Sequence, residues 1–165
     1  HFQRAVLLSQ IETLLAESDI QPQSLNIEVT ESAILENEVM AGELFAAFRK
    51  QGIGVCIDDF GTGYSSLSYL QQFPINTLKI DKSFVQDVLK EAEDAALVNA
   101  IITMAHSLGL EVIAEGVEEE GQLKYLQEHD CDFAQGYYFS RPLPVSEFSE
   151  WLLQHQEETR NITSG

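Results

Sequence analysis

The sequence predicts an α/β fold built on a parallel sheet. Two observations predict it: short apolar, β-rich runs alternate with amphipathic stretches along the 165 residues, and a polar side chain stands at the end of each run. Strands that alternate with helices form parallel sheets covered by helices, and functional residues of such sheets collect at the carboxyl ends of the strands. The five predicted strand-end residues are Glu28, Asp58, Lys79, Glu115 and Gln135.

The spacing of these strand ends limits the architecture. They stand 30, 21, 36 and 20 residues apart, and eight units of that mean length would need about 215 residues, close to the roughly 250 of an eight-stranded barrel. The chain supplies five such units. It is therefore either a five-stranded open sheet or the last five-eighths of a barrel.

Hydrophobic periodicity and turn residues predict each element in order. Leu7, Ile11 and Leu14 share one face of a helix that ends near Ser18, and Gly52 suits the left-handed position that follows a helix. The full series is a helix to 18, strand 25–29, loop 30–32, a helix over 40–48, strand 54–57, loop 58–63, helix 67–72, strand 77–80, helix 94–108, strand 111–114, helix 119–128, strand 132–134 and a last helix through 151.

Composition excludes several function classes. Nine basic residues against 27 acidic ones give a net charge of −18, so we expect no binding to DNA or RNA polymers and no contact with anionic membranes. An apolar run of about 18 residues and a signal peptide are both lacking in the sequence. Cys56 and Cys131 lie in apolar segments, and we expect two reduced thiols rather than a disulfide. These observations predict a cytoplasmic location.

The densest chemical signal is the acidic pair Asp58 and Asp59, which precedes a glycine-rich segment. Adjacent strand residues point to opposite sides, but a glycine-rich turn could bring the second carboxylate back toward the first. Two neighbouring carboxylates repel each other, and a divalent cation relieves that repulsion. An alternative remains open: an acidic turn that caps the next helix through Ser65 or Ser66.

The other strand ends carry weaker signals. Glu28 lies in a β-branched run, where a buried carboxylate without a partner is costly; alternatively it lies on the outward face of an edge strand. Glu115 repeats the pattern of apolar strand, acid and glycine. Lys79 either joins the acidic site or pairs with Asp81 at a strand edge. Gln135 is the weakest signal, because a glutamine there often bonds only to backbone.

Five segments resemble, in this order, the later motifs of the EAL-domain family. They are 26–32 (NIEVTES), 58–67 (DDFGTGYSSL), 78–84 (LKIDKSF), 112–118 (VIAEGVE) and 135–143 (QGYYFSRPL). The resemblance runs to about residue 153. It implies a (β/α) TIM-like barrel, with about five of its eight βα units in this chain, and the hydrolysis of cyclic di-GMP to linear pGpG. We therefore interpret 1–156 as the C-terminal two-thirds of an EAL domain and 157–165 as a polar tail.

The resemblance also implies roles for single residues. The metal ligands are Glu28, Asp58, Asp59 and Glu115, which hold two Mg²⁺ or Mn²⁺ ions, with Asp58 between them. The catalytic residues are Lys79, Glu115 and Gln135, of which Lys79 and Gln135 contact the attacking water. The supporting residues are Glu31, which holds the loop after the acidic pair, Asp81 and Glu118.

One departure from the family pattern bears on activity. The Glu-Ala-Leu motif and the Asn-containing strand after it would both lie before His1, and both normally supply metal ligands. We therefore expect a truncated domain that is poorly active by itself. We also expect it to form a homodimer or to be attached to sensory or synthase domains.

Two other functions are weighed against the enzyme. A non-catalytic cyclic di-GMP sensor is disfavoured by the intact carboxylates, but the missing ligands would impose that role on the fragment. A flavodoxin-like receiver domain needs neither Glu28 nor Glu115 at a strand end.

Overall fold

Five parallel strands form one sheet in the computed structural model, which describes residues 2–62 and 68–162. The strands are β1 Asn26–Thr30, β2 Gly54–Phe60, β3 Thr77–Ile80, β4 Glu111–Glu115 and β5 Phe133–Gln135. Their order in the sheet is β1-β2-β3-β4-β5, and every neighbouring pair is parallel. The predicted parallel α/β sheet is thus confirmed. The receiver hypothesis is wrong, because flavodoxin-like folds have the order 2-1-3-4-5.

Helices connect the strands. They are α1 Phe2–Glu17, α2 Glu31–Glu36, α3 Glu38–Gln51, α4 Ser68–Gln72, α5 Lys82–Gln86, α6 Ala92–Ser107, α7 Glu120–Glu128 and α8 Val145–Ile162, and a 3₁₀ turn covers Pro22–Ser24. Gly52 has φ +80° and donates its N–H to the carbonyls of Phe48 and Arg49. The predicted left-handed end of α3 is therefore confirmed.

The predicted boundaries are wrong at three places. Residues 30–32 are not a loop, because Thr30 ends β1 and caps α2 through its hydroxyl, which accepts from the Ala33 N–H. Strand β2 continues through the predicted loop to Phe60. Helix α5 was not expected; the Asp81 carboxylate accepts from the Ser83 N–H and starts it. Thr30 and Asp81 thus start helices through their side chains where polarity indicated a loop.

The last helix is longer than predicted. It continues beyond Trp151 to Ile162, so most of the predicted polar tail is helical. The division of the chain at residue 156 stays a prediction. The possible caps Ser65 and Ser66 lie outside the described residues.

The core lies between the sheet and the helices. Helix α6 buries Val98, Ile101, Ile102 and Ala105, which share one face at helical spacing. The largest fully buried apolar side chains are Phe45, Phe48, Ile34, Ile57, Leu78, Ile80, Ile102, Leu126, Val55 and Val85. Burying each large one contributes about 1.5–3 kcal/mol, which fixes the strands against the helices and so the positions of the strand ends.

Both cysteines are free, as predicted. Burial raises the pKa of the Cys56 thiol to about 12 and that of Cys131 to about 11, so neither is a reactive thiolate near neutral pH. Within residues 2–62 and 68–162, no helix is both long and apolar enough to cross a bilayer.

Candidate active site

The sheet brings the predicted site residues to one edge, one from each strand. Because all five strands are parallel, their carboxyl ends face the same way. The register places Thr30 beside Asp58, Lys79 beside Ile113 and Glu115 beside Gln135. Glu115 and Gln135 end their strands as predicted, whereas Lys79 stands one residue before the end of β3, and Glu28 and Asp58 stand two residues before the ends of β1 and β2. The strand-end rule therefore located this edge of the sheet, although three of the five residues lie inside their strands.

Lys79 is the centre of the cluster. Its Nζ lies 3.1 Å from Glu28 Oε2, 3.2 Å from Asp58 Oδ1 and 2.6 Å from Glu115 Oε1, and its side chain is 5% exposed. Burial lowers the pKa of Lys79, but the hydrogen bonds to Glu115, Glu28 and Asp58 raise it more, so the pKa lies above the ordinary lysine value. The ammonium stays charged and ties β1, β2 and β4 to β3.

These contacts decide an alternative that the sequence left open. Lys79 pairs with three strand-end carboxylates, whereas Asp81 caps α5 through Ser83. Burial raises the pKa of Asp81, but the hydrogen bonds from Ser83 lower it by a larger amount, so the pKa lies below its ordinary value.

The acidic pair is brought together by the backbone of β2. Asp59 has φ +54°, in the left-handed region, and the register against β3 shifts between Ile57 and Phe60. The Asp59 N–H donates to Asp58 Oδ1 at 3.0 Å. The glycine-rich turn was expected to swing the second carboxylate back; the left-handed Asp59 does so instead. Asp tolerates this conformation better than most residues, but apolar periodicity carries no signal for it.

Three carboxylates fit a divalent cation. Asp58, Asp59 and Glu115 each offer one oxygen, and these oxygens lie within 4.8 Å of one another. Partial burial and then the charges of Asp58 and Asp81 raise the pKa of Asp59 above its ordinary value, and a cation would offset the repulsion between these carboxylates. Carboxylate oxygens are the ligands that Mg²⁺ and Mn²⁺ prefer. The donor set fits these ions.

Glu28, the fourth predicted ligand, is placed differently. It contacts Lys79, its side chain is 54% exposed, and it is outside the group of three carboxylates. Strand β1 is at the edge of the sheet, so its carboxylate faces solvent more than the others do. The described residues thus bring three of the four predicted ligands into one group.

Glu31 links α2 to the segment after the acidic pair. Its Oε2 accepts from the Gly61 N–H at 3.3 Å, and the residue is 2% exposed. This contact is of the kind expected from a residue that holds the loop. The loop's continuation over 63–67 lies outside the described residues.

A pocket of about 250 Å³ opens beside Glu115. It is lined by Lys82, Gln86, Glu115, Gly116, Glu118, Gln135, Gly136 and Tyr137. Gln86 Nε2 donates to Glu118 Oε1 at 3.5 Å across it. Three of these lining residues were not predicted as site residues: Lys82, Gln86 and Tyr137. The first two follow from α5, which begins directly after a strand end, and that position was the available signal.

The comparisons identify the family. The sequence-family model of the EAL domain matches residues 1–142. The chain belongs to the EAL domain family. This EAL chain is 43% identical over 149 residues to the cyclic di-GMP phosphodiesterase NbdA of Pseudomonas aeruginosa, covering 90% of the chain and 19% of that protein.

Two solved structures share the fold. The PaMucR phosphodiesterase in complex with c-di-GMP is 37% identical with a TM-score of 0.83, and the match covers 86% of this chain and 57% of that one. The manganese/cy-diGMP complex of Klebsiella pneumoniae BlrP1 is 34% identical with a TM-score of 0.74, covering 84% and 34%. These matches confirm the predicted TIM-like barrel class, of which the described residues form five strands. The chain spans about a fifth of the length of the curated relatives it matches.

Proposed function

We propose that this EAL chain contributes to metal-dependent hydrolysis of cyclic di-GMP to linear pGpG. One observation carries the proposal: the carboxylates of Asp58, Asp59 and Glu115 could hold a cation, and the buried ammonium of Lys79 lies at the same edge of the sheet. The names of its relatives support the substrate: NbdA is a cyclic di-GMP phosphodiesterase, and the PaMucR and BlrP1 structures are complexes with that dinucleotide.

The carboxylates would hold the metal. Asp58, Asp59 and Glu115 would bind one Mg²⁺ or Mn²⁺ ion, and Glu28 with Asp58 would contribute to a second. Such an ion, when bound, lowers the pKa of water and polarises the phosphodiester. The residues Asp81 and Glu31 would keep this edge in shape, Asp81 by capping α5 and Glu31 through Gly61.

The remaining side chains would act on the substrate. The Lys79 ammonium is charged and largely excluded from water, so it would offset negative charge that develops on the phosphate oxygens. Gln135 is the register partner of Glu115 in the sheet, and its side-chain amide would orient the attacking water. Glu118 lines the adjoining pocket. A local positive charge is needed here because a chain of net charge −18 otherwise repels a dianionic substrate.

A non-catalytic cyclic di-GMP sensor is the second candidate. The observation that favours it is the position of Glu28, which is outside the three-carboxylate group. With one ligand out of place, the site would bind the dinucleotide without cleaving it. Attached sensory or synthase domains fit relatives named as an oxygen sensor and a bifunctional cyclase/phosphodiesterase; the homodimer stays a prediction.

Replacement of Asp58 by Asn tests the proposal. Because Asp58 contacts both Lys79 and the proposed metal, we expect Asp58→Asn to lower kcat/KM for cyclic di-GMP by at least about a hundredfold, as for loss of a major electrostatic stabiliser. The measurement is pGpG formation in Mn²⁺, made with this chain and with a longer form that adds the Glu-Ala-Leu segment.

The matched control is Asp19→Asn, an exposed aspartate, which should leave the rate unchanged. Hydrolysis that survives Asp58→Asn in the longer form contradicts the enzyme proposal. Binding of cyclic di-GMP without any pGpG from the longer form supports the sensor instead.

A further inference from the structure

We propose that Gln122 is a positioning residue of this site, which holds the walls of the pocket beside Glu115 at the spacing that the substrate requires. The inference rests on the proposed function, because the pocket would receive the part of cyclic di-GMP beside the reacting phosphate. Gln122 is not among the residues that line the pocket. It is 3% exposed, so it would act only through the segments to which it is bonded.

Three separate segments form the walls of this pocket. The first is α5, the second is 115–118, which begins at the end of β4, and the third is 135–137, which begins at the end of β5. Glu115 also belongs to the group of carboxylates that could hold a cation, so the pocket adjoins the proposed reaction centre. Its shape depends on how the three segments are held relative to one another.

Gln122 is bonded directly to the first two segments. Its Oε1 accepts from the Glu118 N–H at 2.7 Å and from the Glu119 N–H at 3.0 Å, and its Nε2 donates to the Gln86 carbonyl at 3.1 Å. Within the amide only Oε1 can accept from two N–H groups, so one orientation satisfies all of these partners. The buried side chain therefore fixes the end of α5 against the segment 115–118.

The third segment is joined to the second through Val117, which is fully buried. The Val117 N–H donates to the Gln135 carbonyl at 3.1 Å, and the Val117 carbonyl accepts from the Tyr138 N–H at 2.9 Å. Because Val117 precedes Glu118 in the chain, a shift of the Glu118 N–H also moves these two bonds. Loss of the Gln122 contacts would thus change the spacing of all three walls.

One of the Gln122 bonds has an ordinary structural role. Gln122 is the third residue of α7, and its bond to the Glu119 N–H belongs to a capping box at the start of that helix. Glutamate fills this position of a capping box as well as glutamine does. The cap does not account for the bonds to Glu118 and Gln86, which join α7 to the two pocket segments.

The variant Gln122→Glu separates capping from positioning. It keeps an acceptor for the Glu118 and Glu119 N–H groups, but it replaces the donor to the Gln86 carbonyl by a carboxylate oxygen, which repels that carbonyl. We expect KM for cyclic di-GMP to rise at least about tenfold, as for a buried hydrogen bond left unmade, and kcat to fall by a smaller factor. The longer form that adds the Glu-Ala-Leu segment is assayed in Mn²⁺.

A second substrate distinguishes positioning from a general loss of structure. Bis(4-nitrophenyl) phosphate is a phosphodiester that has neither ribose nor guanine to enter the pocket. Gln122→Glu should lower kcat/KM for cyclic di-GMP by a factor at least about fivefold larger than for this small diester. The matched control is Gln127→Glu, which makes the same change at an exposed position of α7 and should leave both values unchanged.

The possible failures are distinguishable. An unchanged KM in Gln122→Glu, or an equal loss with both substrates, overturns the positioning role and leaves the proposed function in place. If the unmodified longer form neither binds nor hydrolyses cyclic di-GMP, the proposed function and this inference are overturned together. If it binds the dinucleotide without hydrolysis, Kd replaces KM, with the same expected rise and the same contradicting result.

A second variant covers the case in which Gln122→Glu does not fold. Gln122→Met has a side chain of similar length, carries no charge and removes every bond that the amide makes. It should raise KM for cyclic di-GMP by at least the same factor and again affect the small diester less. An unchanged KM in the folded Gln122→Met variant overturns the proposal.

Discussion

The two ends of the sheet are held together by different interactions. At the carboxyl end, the Lys79 ammonium joins three carboxylates from three strands. At the amino end, neutral hydrogen bonds join the strands: Asn76 Oδ1 accepts from the Val55 N–H at 3.0 Å, and the Asn76 carbonyl accepts from the Glu111 N–H at 3.0 Å. The neutral bonds at the amino end satisfy backbone groups, whereas two of the carboxylates at the carboxyl end, Asp58 and Glu115, also belong to the group that could hold a cation. The neutral hydrogen bonds at the amino end stabilise the fold, and the charged groups at the carboxyl end provide the chemistry of the proposed site.

Cavity size and side-chain chemistry indicate opposite ends of the sheet as the functional site. The larger cavity, about 930 Å³, lies at the amino end and includes Asn26, Asn76 and Glu111 among its lining residues, while the pocket beside Glu115 is about 250 Å³. Volume alone would place the functional site at the amino end. The carboxylates that could bind a metal and the buried ammonium lie at the carboxyl end. We therefore place the functional site there, although its pocket is smaller.

The largest expected effect on folding lies at the carboxyl end of the sheet and comes from packing, not from charge. A Cβ on Gly136 would lie 2.1 Å from the Val117 carbonyl oxygen and 2.4 Å from its nitrogen. Both are backbone atoms and cannot move aside as a side chain does. We expect Gly136→Ala to lower the free energy of unfolding by about 3 kcal/mol, at the upper end for overpacking. Urea unfolding measures it.

Gly121→Ala is the matched control. Its Cβ would meet only the end of the Leu89 side chain, which is 50% exposed, and alanine favours the helix by about 1 kcal/mol. Equal stability of the two variants would contradict a packing requirement at Gly136.

The sequence was most informative where the backbone follows simple periodicity. Alternating apolar runs located all five strands, and the rule that parallel strand ends share an edge brought Glu28, Asp58, Lys79, Glu115 and Gln135 together. The ends of β1, β3, β4 and β5 were found to within one residue, because an apolar run stops where the chain leaves the sheet, but β2 continues three residues past its apolar run.

The rest of the site depends on geometry that residue order does not encode. The left-handed Asp59 turns its carboxylate toward Asp58, and no pattern of polar and apolar residues indicates a positive φ there. The three-way pairing of Lys79 depends on strand register, which sets which carboxylates reach it. Both the conformation of Asp59 and the partners of Lys79 are therefore set by tertiary structure.

The next-largest expected effect lies at the amino end of the sheet. Asn76→Ala removes the acceptor of the buried Val55 N–H. Water can enter from the adjoining cavity, so the expected loss of unfolding free energy is about 1–2 kcal/mol, in the lower range for an unsatisfied buried group. Mn²⁺ affinity should not change, because Asn76 contacts none of the carboxylates in the described contacts.

Asn99→Ala makes the same change on the exposed face of α6 and should be neutral or stabilising. A loss of Mn²⁺ binding in Asn76→Ala would show that the two ends are coupled, which contradicts the division between them.

The smallest expected effect comes from a carboxylate at the amino end of the sheet. Asp132 Oδ2 accepts from the Val112 N–H at 2.8 Å and lies 2.9 Å from His106 Nε2. Burial raises the pKa of Asp132, but the hydrogen bonds from His106 and then Val112 lower it more, so the pKa lies below its ordinary value. A carboxyl whose pKa is lower in the folded chain stabilises it above the unfolded pKa of about 3.9 and loses that contribution as pH falls through the folded value.

We therefore expect Asp132→Asn to be less stable than the unmodified chain at pH 7, with a difference that shrinks below about pH 4. Because the two side chains are 32% and 37% exposed, solvent screening limits the difference to below about 1 kcal/mol. Unfolding free energies measured from pH 7 to pH 3 test it, with Glu128→Gln as a control at an exposed carboxylate 3.9 Å from Lys124. A difference that grows toward acid pH would mean that the Asp132 carboxylate destabilises the fold, and the neutral bonds alone would then hold the amino end together.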